Sequence, residues 1–393
     1  MGLWTKVDSN GNIVEVSDKL MYTSITTLTT DVQNTVVKET YLDNIINVPW
    51  DSPLFWYRSL KDKLPREAMF HRIMPRPPQA TSIVHQLASA VYRDRKTYRM
   101  YLEYCPHGDL EGVITDYQRR EALTAEDGNV VNVRIPELTL WGIFESLVSA
   151  ACLMQFGRLP GTTSNRSNHL DGEIVHRGIK PENIFLSPPH ARLWPYLPMV
   201  KLGDSGYAVH AKDKFLRNPD NLRGTKTTQY MAPEQRVWTE ESRKQYSNGR
   251  AEQVRSSSDI YAIGRIMMSL MNLSDLPRTT PSGFDQGLST KTLPSEEARR
   301  FYTPMLTALV VDCCKATLGQ RVKAEAARHR IRKHTIKFDV NDTESLPRRL
   351  QQLGSGEQGF YKGFEKCAAW AQRATVCPHN LSFRWEEWRR DPS

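Results

Sequence analysis

Four short segments, which follow one another in a fixed order, constrain the fold of this chain more than any other feature. They are EIVHRGIKPENIFL at 173–186, KLGDSG at 201–206, MAPE at 231–234 and SSSDIYAIG at 256–264. Each can be given a physical role: Asn183 in the first and Asp204 in the second, for example, offer the hard oxygen ligands that suit Mg²⁺. One such segment could arise by chance, but four in order, at plausible separations, make chance a negligible explanation.

The first segment contains VHRGIKPEN, which resembles the catalytic loop H-R-D-x-x-x-x-N of eukaryotic protein kinases. It retains the other residues of that motif, namely His176, Arg177, Lys180 and Asn183. Gly178 stands where the family has the Asp that accepts the proton of the substrate hydroxyl. The resemblance therefore implies a kinase catalytic loop without its general base.

The other three segments resemble the motifs that follow this loop in the same family. KLGDSG is similar to the metal-binding D-F-G, with Asp204 retained and Ser205 in place of Phe. MAPE matches the A-P-E that ends the activation segment, and SSSDIYAIG matches the core-helix motif whose acidic residue, here Asp259, anchors the catalytic loop. The chain is identified as a member of the eukaryotic protein kinase family over roughly residues 1–335.

The resemblance also implies which residues would contact the nucleotide. Lys38 in TVVKET resembles the strand lysine that pairs with the α- and β-phosphates, and Glu67 in LPREAMFHRI resembles its helix partner. A surface lysine on a strand and a glutamate on a helix are the alternative interpretation of these two residues. Leu102 would occupy the gatekeeper position, and the hinge that offers backbone groups to an adenine ring would be Glu103, Tyr104 and Cys105.

The implied cofactors are ATP and Mg²⁺, with weak binding. Asn183 and Asp204 correspond to the metal ligands of the family. Lys180 lies two residues beyond position 178, where Ser/Thr kinases carry a lysine that meets the transferred phosphate and tyrosine kinases differ. The resemblance therefore implies the Ser/Thr type.

Two further assignments concern the activation segment. Thr227 aligns, by its distance from Ala232, with the Thr that lines the substrate site in Ser/Thr kinases. Arg321, which we place after the last core helices, corresponds to the Arg that pairs with the Glu of A-P-E, here Glu234. Because breaking a buried pair leaves a charge unpaired, we expect this pair to stabilise the fold.

Three departures from the family pattern argue against efficient catalysis. Gly178 has no side chain to take the substrate proton, and a positioned general base contributes roughly 10²–10⁴-fold. No G-x-G-x-x-G precedes the first predicted strand, either because the true start lies upstream or because the protein does without it. Ser205 replaces a buried Phe, whose truncation costs about 3–5 kcal/mol in cores, unless a side chain such as Tyr207 fills the gap.

The fold class that follows is α+β, in two lobes. We expect a small β-rich lobe at 1–102, lacking the Gly-rich loop, and a larger α-helical lobe at 103–335. Beyond these, hydrophobic periodicity fades and GSGEQG marks a flexible break, so 336–393 is predicted to be a separable basic tail.

Local patterns fill in this outline. GLWTKV and TVVKET are predicted strands, Asn10-Gly11 is typical of a two-residue hairpin turn, and the Ser/Thr-rich stretch 14–34 resembles an insertion between strands. Pro65 opens a helix that ends before Pro75. The spacing of apolar residues predicts a long amphipathic helix over 136–157, and 259–271 is apolar on nearly every side, which predicts a buried helix.

Composition limits the classes of partner and the cell compartment. The chain has 393 residues, of which 39% are hydrophobic and 25% charged, as in ordinary globular proteins. No apolar run approaches the roughly 18–20 residues of a membrane span, and the N-terminus lacks the apolar region of a secretory signal. Six scattered cysteines without a C-x-x-C pair indicate reduced thiols, so we expect an intracellular protein, cytoplasmic or nuclear.

The net charge of +9 is concentrated in two runs, 321–337 and 348–390. No nucleic-acid reading module accompanies them, which favours a solvated tail or a docking surface for acidic partners over a nucleic-acid binder. Two hypotheses for the function remain. The chain is either a Ser/Thr-type protein kinase with impaired phosphoryl transfer to a protein substrate, or a pseudokinase that scaffolds a protein partner.

Overall fold

The computed structural model describes residues 2–7, 13–17, 21–24, 33–41, 56, 64–75, 80–126, 134–161, 172–188, 198–211, 229–235, 254–273 and 293–335. The strands are β1 (Gly2–Val7), β2 (Ile13–Ser17), β3 (Met21–Ser24), β4 (Gln33–Tyr41), β5 (Gln86–Tyr92), β6 (Thr97–Glu103), β7 (Ile174–Val175), β8 (Ile184–Ser187), β9 (Met199–Leu202) and β10 (Val209–His210). The helices are α1 (Arg66–Ile73), α2 (Leu110–Glu126), α3 (Glu137–Phe156), α4 (Ser256–Asn272), α5 (Glu296–Phe301), α6 (Pro304–Cys313) and α7 (Ala324–Thr335).

The first part of the chain forms a six-stranded sheet in the order β2-β1-β3-β4-β6-β5, with an additional pairing of β1 and β4. Within the antiparallel pair β4–β6, Lys38 lies opposite Met100 and Thr40 lies opposite Tyr98. Residues directly opposite each other share one face of a sheet, and alternate residues along a strand do so too. Lys38, Tyr98, Met100 and Leu102 therefore share one face, and all four are buried.

Helix α1 lies between this sheet and the helical part of the chain. Pro65 precedes its first turn, Glu67 lies near the positive end of the helix dipole, and the helix ends where Met74 becomes extended. Phe70 belongs to the large core, whereas Ala68 packs in a second cluster with Trp56 and residues of the sheet. The helix predicted from Pro65 is confirmed, and Glu67 is one of its buried residues.

Helix α3 is the centre of the helical part, and it contacts α4, α7 and β9. It ends at Gly157, whose φ of 68° is the left-handed conformation that favours glycine. The helix predicted over 136–157 is confirmed, but it is not amphipathic, because nearly every face of α3 is buried among other elements. By length and composition this helix could also cross a membrane, contrary to the expectation that no run is long enough, but most of it is buried within the fold.

Helix α4 is buried along most of its length, as predicted, and a glycine sets its distance from α6. A Cβ at Gly264 would lie 2.6 Å from Cys313 Cβ and 2.8 Å from Cys314 Sγ. Any side chain at this position would therefore push the two helices apart. The cysteines of the described ranges are all buried free thiols: Cys105, Cys152, Cys313 and Cys314.

A β-rich part followed by a helical part confirms the predicted α+β fold with two lobes. One local prediction at the start of the chain was wrong, because the stretch 14–34 contains most of β2 and all of β3. The β1–β2 hairpin pairs Val7 with Ile13. The segment DSNGN between these two residues has one glycine and lies outside the described residues, so the turn at Asn10-Gly11 and the lack of a Gly-rich loop stay predictions.

Candidate active site

A buried ion pair joins the sheet to helix α1. Lys38 Nζ lies 2.7 Å from Glu67 Oε1, and both side chains are almost fully enclosed. Burial raises the pKa of Glu67, since a carboxylate loses its hydration there. The interpretation of Lys38 and Glu67 as unrelated surface residues is therefore wrong, because the structure brings them together across 29 residues of sequence.

Lys38 also contacts the residue predicted to bind metal. Its Nζ lies 2.5 Å from Asp204 Oδ1. Burial works against the charge on both groups, but the attraction between them holds the pKa of Asp204 below its ordinary value and the pKa of Lys38 above it. Asp204 has a φ of 57°, an uncommon left-handed conformation for a residue other than glycine, which turns its carboxylate toward Lys38.

Tyr98 completes this cluster. Its hydroxyl donates to Glu67 Oε2 over 3.1 Å, so both oxygens of the Glu67 carboxylate are bound, one to Lys38 and one to Tyr98. Tyr98 is buried on the same face of the sheet as Lys38. The glutamate is therefore fixed from two strands, β4 and β6, and helix α1 is held against the sheet.

Asp259 at the start of α4 fixes the backbone of the catalytic loop. Its two carboxylate oxygens accept from the backbone N–H groups of His176 (2.7 Å) and Arg177 (3.0 Å). Burial raises the pKa of Asp259 to about 7, although the two donors oppose this shift. Arg177 has a φ of 64°, so the loop makes a sharp turn at this point, and the anchoring role predicted for Asp259 is confirmed.

His176 ties the catalytic loop to the segment that carries Asp204. Its Nε2 lies 3.1 Å from the carbonyl oxygen of Gly203, which can only accept, so Nε2 carries the proton. Its Nδ1 accepts from the backbone N–H of Gly178 over 3.2 Å. Burial lowers the pKa of His176 to about 4, so the ring is neutral near pH 7 and is not a free base.

The structure leaves the loop without a proton acceptor at Gly178. A Cβ added there would lie 3.4 Å from the ring of Tyr207, so an aromatic side chain lies beside the position of the missing carboxylate. Asn183 Nδ2 donates to the carbonyl oxygen of Gly178 over 2.9 Å, which holds the loop closed. Lys180 Nζ lies 3.4 Å from Glu182 Oε1, on a partly exposed part of the loop.

The predicted magnesium ligands lie at the same end of the β8–β9 hairpin. Asn183 directly precedes β8 and Asp204 follows β9, and the N–H of Gly203 donates to the carbonyl oxygen of Asn183 over 2.9 Å. Within the described ranges no three His, Cys, Asp or Glu residues cluster as a metal cage. The donor set fits Mg²⁺, which is commonly held by one or two side-chain oxygens together with substrate phosphates.

The predicted hinge is well packed. Leu102 and Cys105 belong to one buried cluster, and Phe185 packs against it. The N–H of Glu103 donates to His85 O over 2.9 Å, while its carboxylate accepts from Lys201 Nζ over 2.6 Å. Burial raises the pKa of the Cys105 thiol to about 12, so this thiol is protonated and unreactive.

Ser205 is buried, and its hydroxyl lies 3.5 Å from the carbonyl oxygen of Glu67. Tyr207 does not replace the missing Phe, because its side chain is 49% exposed and does not line the small cavity beside Ser205. The replacement of Phe by Ser205 led us to expect that the active arrangement would be poorly held. The structure nevertheless holds Lys38, Glu67 and Asp204 together.

The predicted pair Glu234–Arg321 is present. The two side chains make two contacts, of 2.6 Å and 2.7 Å, and both are 0% exposed. Ser258 Oγ donates to the same carboxylate over 2.6 Å, and the Arg321 guanidinium lies 4.9 Å from the ring centre of Tyr261. Arg321 precedes α7 rather than following the last core helix, which corrects its predicted position. Thr227 lies outside the described residues.

Comparison with known proteins agrees with this geometry. The protein kinase domain family matches residues 167–331. The chain is 30% identical over 185 residues to the G2-specific protein kinase nimA of Emericella nidulans. It is 26% identical over 199 residues to the G2-specific protein kinase fin1 of Schizosaccharomyces pombe, and 28% over 183 residues to nim-1 of Neurospora crassa.

Residues 167–331 therefore belong to the protein kinase domain family. The aligned regions cover 44%, 49% and 44% of this chain, but only 21%, 22% and 17% of nimA, fin1 and nim-1. It therefore spans about a fifth of the length of these relatives.

Two residues of this kinase site were missed in the sequence. Tyr98 lies in the alternating strand YRMYLE, and its position four residues before Leu102 places it on the buried face. His71 follows Glu67 by four residues, which puts both on one face of helix α1. The sequence spacing could therefore have shown that both residues face the same way as known site residues. It could not have shown their hydrogen-bond partners, because those depend on the packing of distant segments.

Proposed function

We propose that this chain is a Ser/Thr-type protein kinase domain that binds Mg²⁺–ATP weakly and transfers phosphate to a protein substrate poorly. The observation that carries this proposal is the contact of Lys38 with both Glu67 and Asp204, next to a catalytic loop that has no acceptor at Gly178. The residues that would bind the nucleotide and the metal ion lie close together, whereas the loop has no side chain that would accept the substrate proton. We place the protein inside the cell, with protein partners.

The roles of the binding residues follow from their positions. The backbone of the hinge, Glu103 and Cys105 beside Leu102, would take the adenine ring. Lys38 would contact phosphate oxygens while Glu67 holds its ammonium group in place. Asn183 and Asp204 would hold Mg²⁺, which neutralises phosphate charge when bound. Lys180, partly exposed on the loop, would meet the transferred phosphate.

Two features support weak activity. In an active kinase the side chain at position 178 takes the proton of the attacking hydroxyl. Gly178 has no side chain, which removes a contribution of roughly 10²–10⁴-fold to the rate of transfer. Some rate remains, because phosphoryl transfer depends mostly on positioning and electrostatics. The segment DSNGN, which joins the hairpin beside the Lys38 strand, carries one glycine instead of the three of G-x-G-x-x-G, so phosphates would have fewer close backbone donors.

The test measures binding and transfer separately. Binding of a fluorescent ATP analogue should be weak and dependent on Mg²⁺, and Asp204→Ala should abolish it. Transfer of radiolabelled phosphate to a generic Ser/Thr substrate should be slow for the native chain. Gly178→Asp should restore little, because the nucleotide is still weakly held. Robust native turnover that Asp204→Ala abolishes would contradict impairment.

The second candidate is a pseudokinase that scaffolds a protein partner without catalysis. It is favoured by the Tyr207 ring beside Gly178, which occupies space next to the missing carboxylate. If neither nucleotide binding nor transfer is detected while the chain is folded, this candidate replaces the first. Detectable transfer by the native chain, absent in Asp204→Ala, would exclude it.

A further inference from the structure

A second lysine–glutamate pair, separate from Lys38 and Glu67, lies at the hinge. Lys201 Nζ lies 2.6 Å from Glu103 Oε2, and the two side chains are 10% and 23% exposed. Lys201 belongs to β9, whereas Glu103 is the last residue of β6, 98 residues earlier in the chain. The pair therefore joins the start of the predicted hinge to the segment that leads into Asp204.

The Glu103 carboxylate is bound from two directions. Its Oε2 accepts from Lys201 Nζ, and its Oε1 accepts from the backbone N–H of His85 over 2.6 Å. The backbone N–H of Glu103 donates in turn to the carbonyl oxygen of His85 over 2.9 Å. Hydrogen bonds to a charged carboxylate are stronger than those between neutral groups. Because both carboxylate oxygens are bonded, the first residue of the hinge is fixed relative to both partners.

The strand that carries Lys201 is itself held in place. It pairs with β8 along its whole length. The N–H of Leu202 donates to the carbonyl oxygen of Ser82 over 2.9 Å, and the carbonyl oxygen of Leu202 accepts from the N–H of Val84 over 2.9 Å. Strand β9 is therefore a fixed support for the ammonium group of Lys201, and the same strand leads to Asp204.

We propose that Lys201 is a positioning residue for nucleotide binding, which holds the backbone of the hinge at a fixed place relative to the proposed metal ligand Asp204. This inference rests on the proposed function, because it concerns the place where the base of ATP binds. Asp204 follows Lys201 by three residues, which is about 10 Å of extended chain. One strand thus fixes the base end and the phosphate end of the site, and a site that is ordered in advance costs the ligand less free energy on binding.

The test compares two ligands that share the phosphate end and differ in the base, Mg²⁺–ATP and Mg²⁺–tripolyphosphate. Isothermal titration calorimetry of the full chain measures the affinity for each. In Lys201→Met, ATP should bind roughly tenfold more weakly, the factor that a hydrogen bond to a charged group contributes. Tripolyphosphate should bind to this variant as it does to the native chain. Lys201→Arg keeps a donor for Glu103 and should retain most of the affinity for ATP.

A purely structural pair would not change the ratio of the two affinities. Arg330→Met is the matched control, because its pair with Asp312 is exposed and joins α6 to α7, and it should change neither affinity. Equal losses for both ligands in Lys201→Met, or no loss for either, would overturn the proposal. If the native chain binds neither ligand, the proposed function fails, and the role of Lys201 in binding the base fails with it.

Amide hydrogen exchange tests the contact without a ligand, so it separates these two failures. In Lys201→Met, the N–H groups of His85 and Glu103 should exchange faster than in the native chain. The N–H of Leu202 should exchange at the native rate, because its bond to Ser82 does not involve the pair, and it reports whether the variant stays folded. Unchanged exchange at His85 and Glu103 would contradict the proposal even where the nucleotide binds.

Discussion

Tyr98 fixes one oxygen of the Glu67 carboxylate through a single hydroxyl group. We expect Tyr98→Phe to lower the free energy of unfolding by about 1–3 kcal/mol, since a buried carboxylate oxygen loses its donor. The affinity for an ATP analogue should fall as well, because Glu67 then holds Lys38 less firmly. Urea unfolding and fluorescence titration measure the two effects. Tyr101→Phe, on the other face of the same strand, is the control, and an equal loss of affinity in both variants would contradict this role.

His71 makes stability depend on pH, because its pKa is about 4 in the folded chain and about 6.5 when unfolded. Below pH 6.5 the unfolded chain takes up a proton that the folded chain excludes, so stability is lost as the pH falls from 6.5 toward 4. His71→Leu removes this loss. On going from pH 8 to pH 5, the free energy of unfolding of His71→Leu should therefore increase by roughly 2 kcal/mol relative to that of the native chain, as measured by urea unfolding. A difference between the two chains that does not change with pH would contradict the shift.

Site residues could be predicted from the sequence when they belong to a local motif, but not when their role depends on a contact with a distant segment. Asn183, Asp204 and Asp259 were predicted because each lies at a fixed position in a local motif. Tyr98 and Ser205 act through distant contacts, to Glu67 on another element, which no local pattern encodes. The predicted gap at Ser205 was correct in position, but the polar ties that hold helix α1 in spite of it are a property of the packed structure.

At the scale of elements, the Glu234–Arg321 pair joins the A-P-E segment to the loop before α7. Arg321→Ala should lower the free energy of unfolding by about 3–5 kcal/mol, because it leaves the Glu234 charge buried and unpaired. Arg330→Ala is a matched control, since its pair with Asp312 is 41% and 38% exposed and should contribute less than about 1 kcal/mol. Denaturant unfolding compares the two, and similar losses would contradict the assignment.

Helices were predictable where prolines mark their ends or where a stretch of sequence is apolar throughout. Pro65 and Pro75 bracket α1, and the apolar stretch at 259–271 lies inside α4. The strand β3 was missed because the polar Ser/Thr-rich stretch around it lacks the apolar alternation of a half-buried strand. Helix α3 was taken for amphipathic because its spacing was recognised, but burial on all sides depends on how many elements surround it.

At the scale of the whole molecule, we expect the chain to end its folded part after α7. Deleting residues 336–393 should leave the remaining chain soluble and cooperatively folded, measured by circular dichroism and thermal unfolding. Deleting 324–393 is the control, because Ala327 and Ile331 of α7 are fully buried and α7 packs against α3. That shorter chain should lose solubility. Insolubility of the 1–335 chain would mean that the tail packs as part of the domain.

The contact of one ammonium group with two carboxylates has a consequence for how ligands act on one another. Lys38, Glu67 and Asp204 together carry one excess negative charge, and Lys38 covers an oxygen of Asp204. A divalent cation bound at Asp204 would displace that ammonium group and free it for an anion, and an anion bound at Lys38 would uncover the carboxylate for the cation. We therefore expect the two ligands to be heterotropically coupled, in which case each would raise the affinity of the other by the same factor.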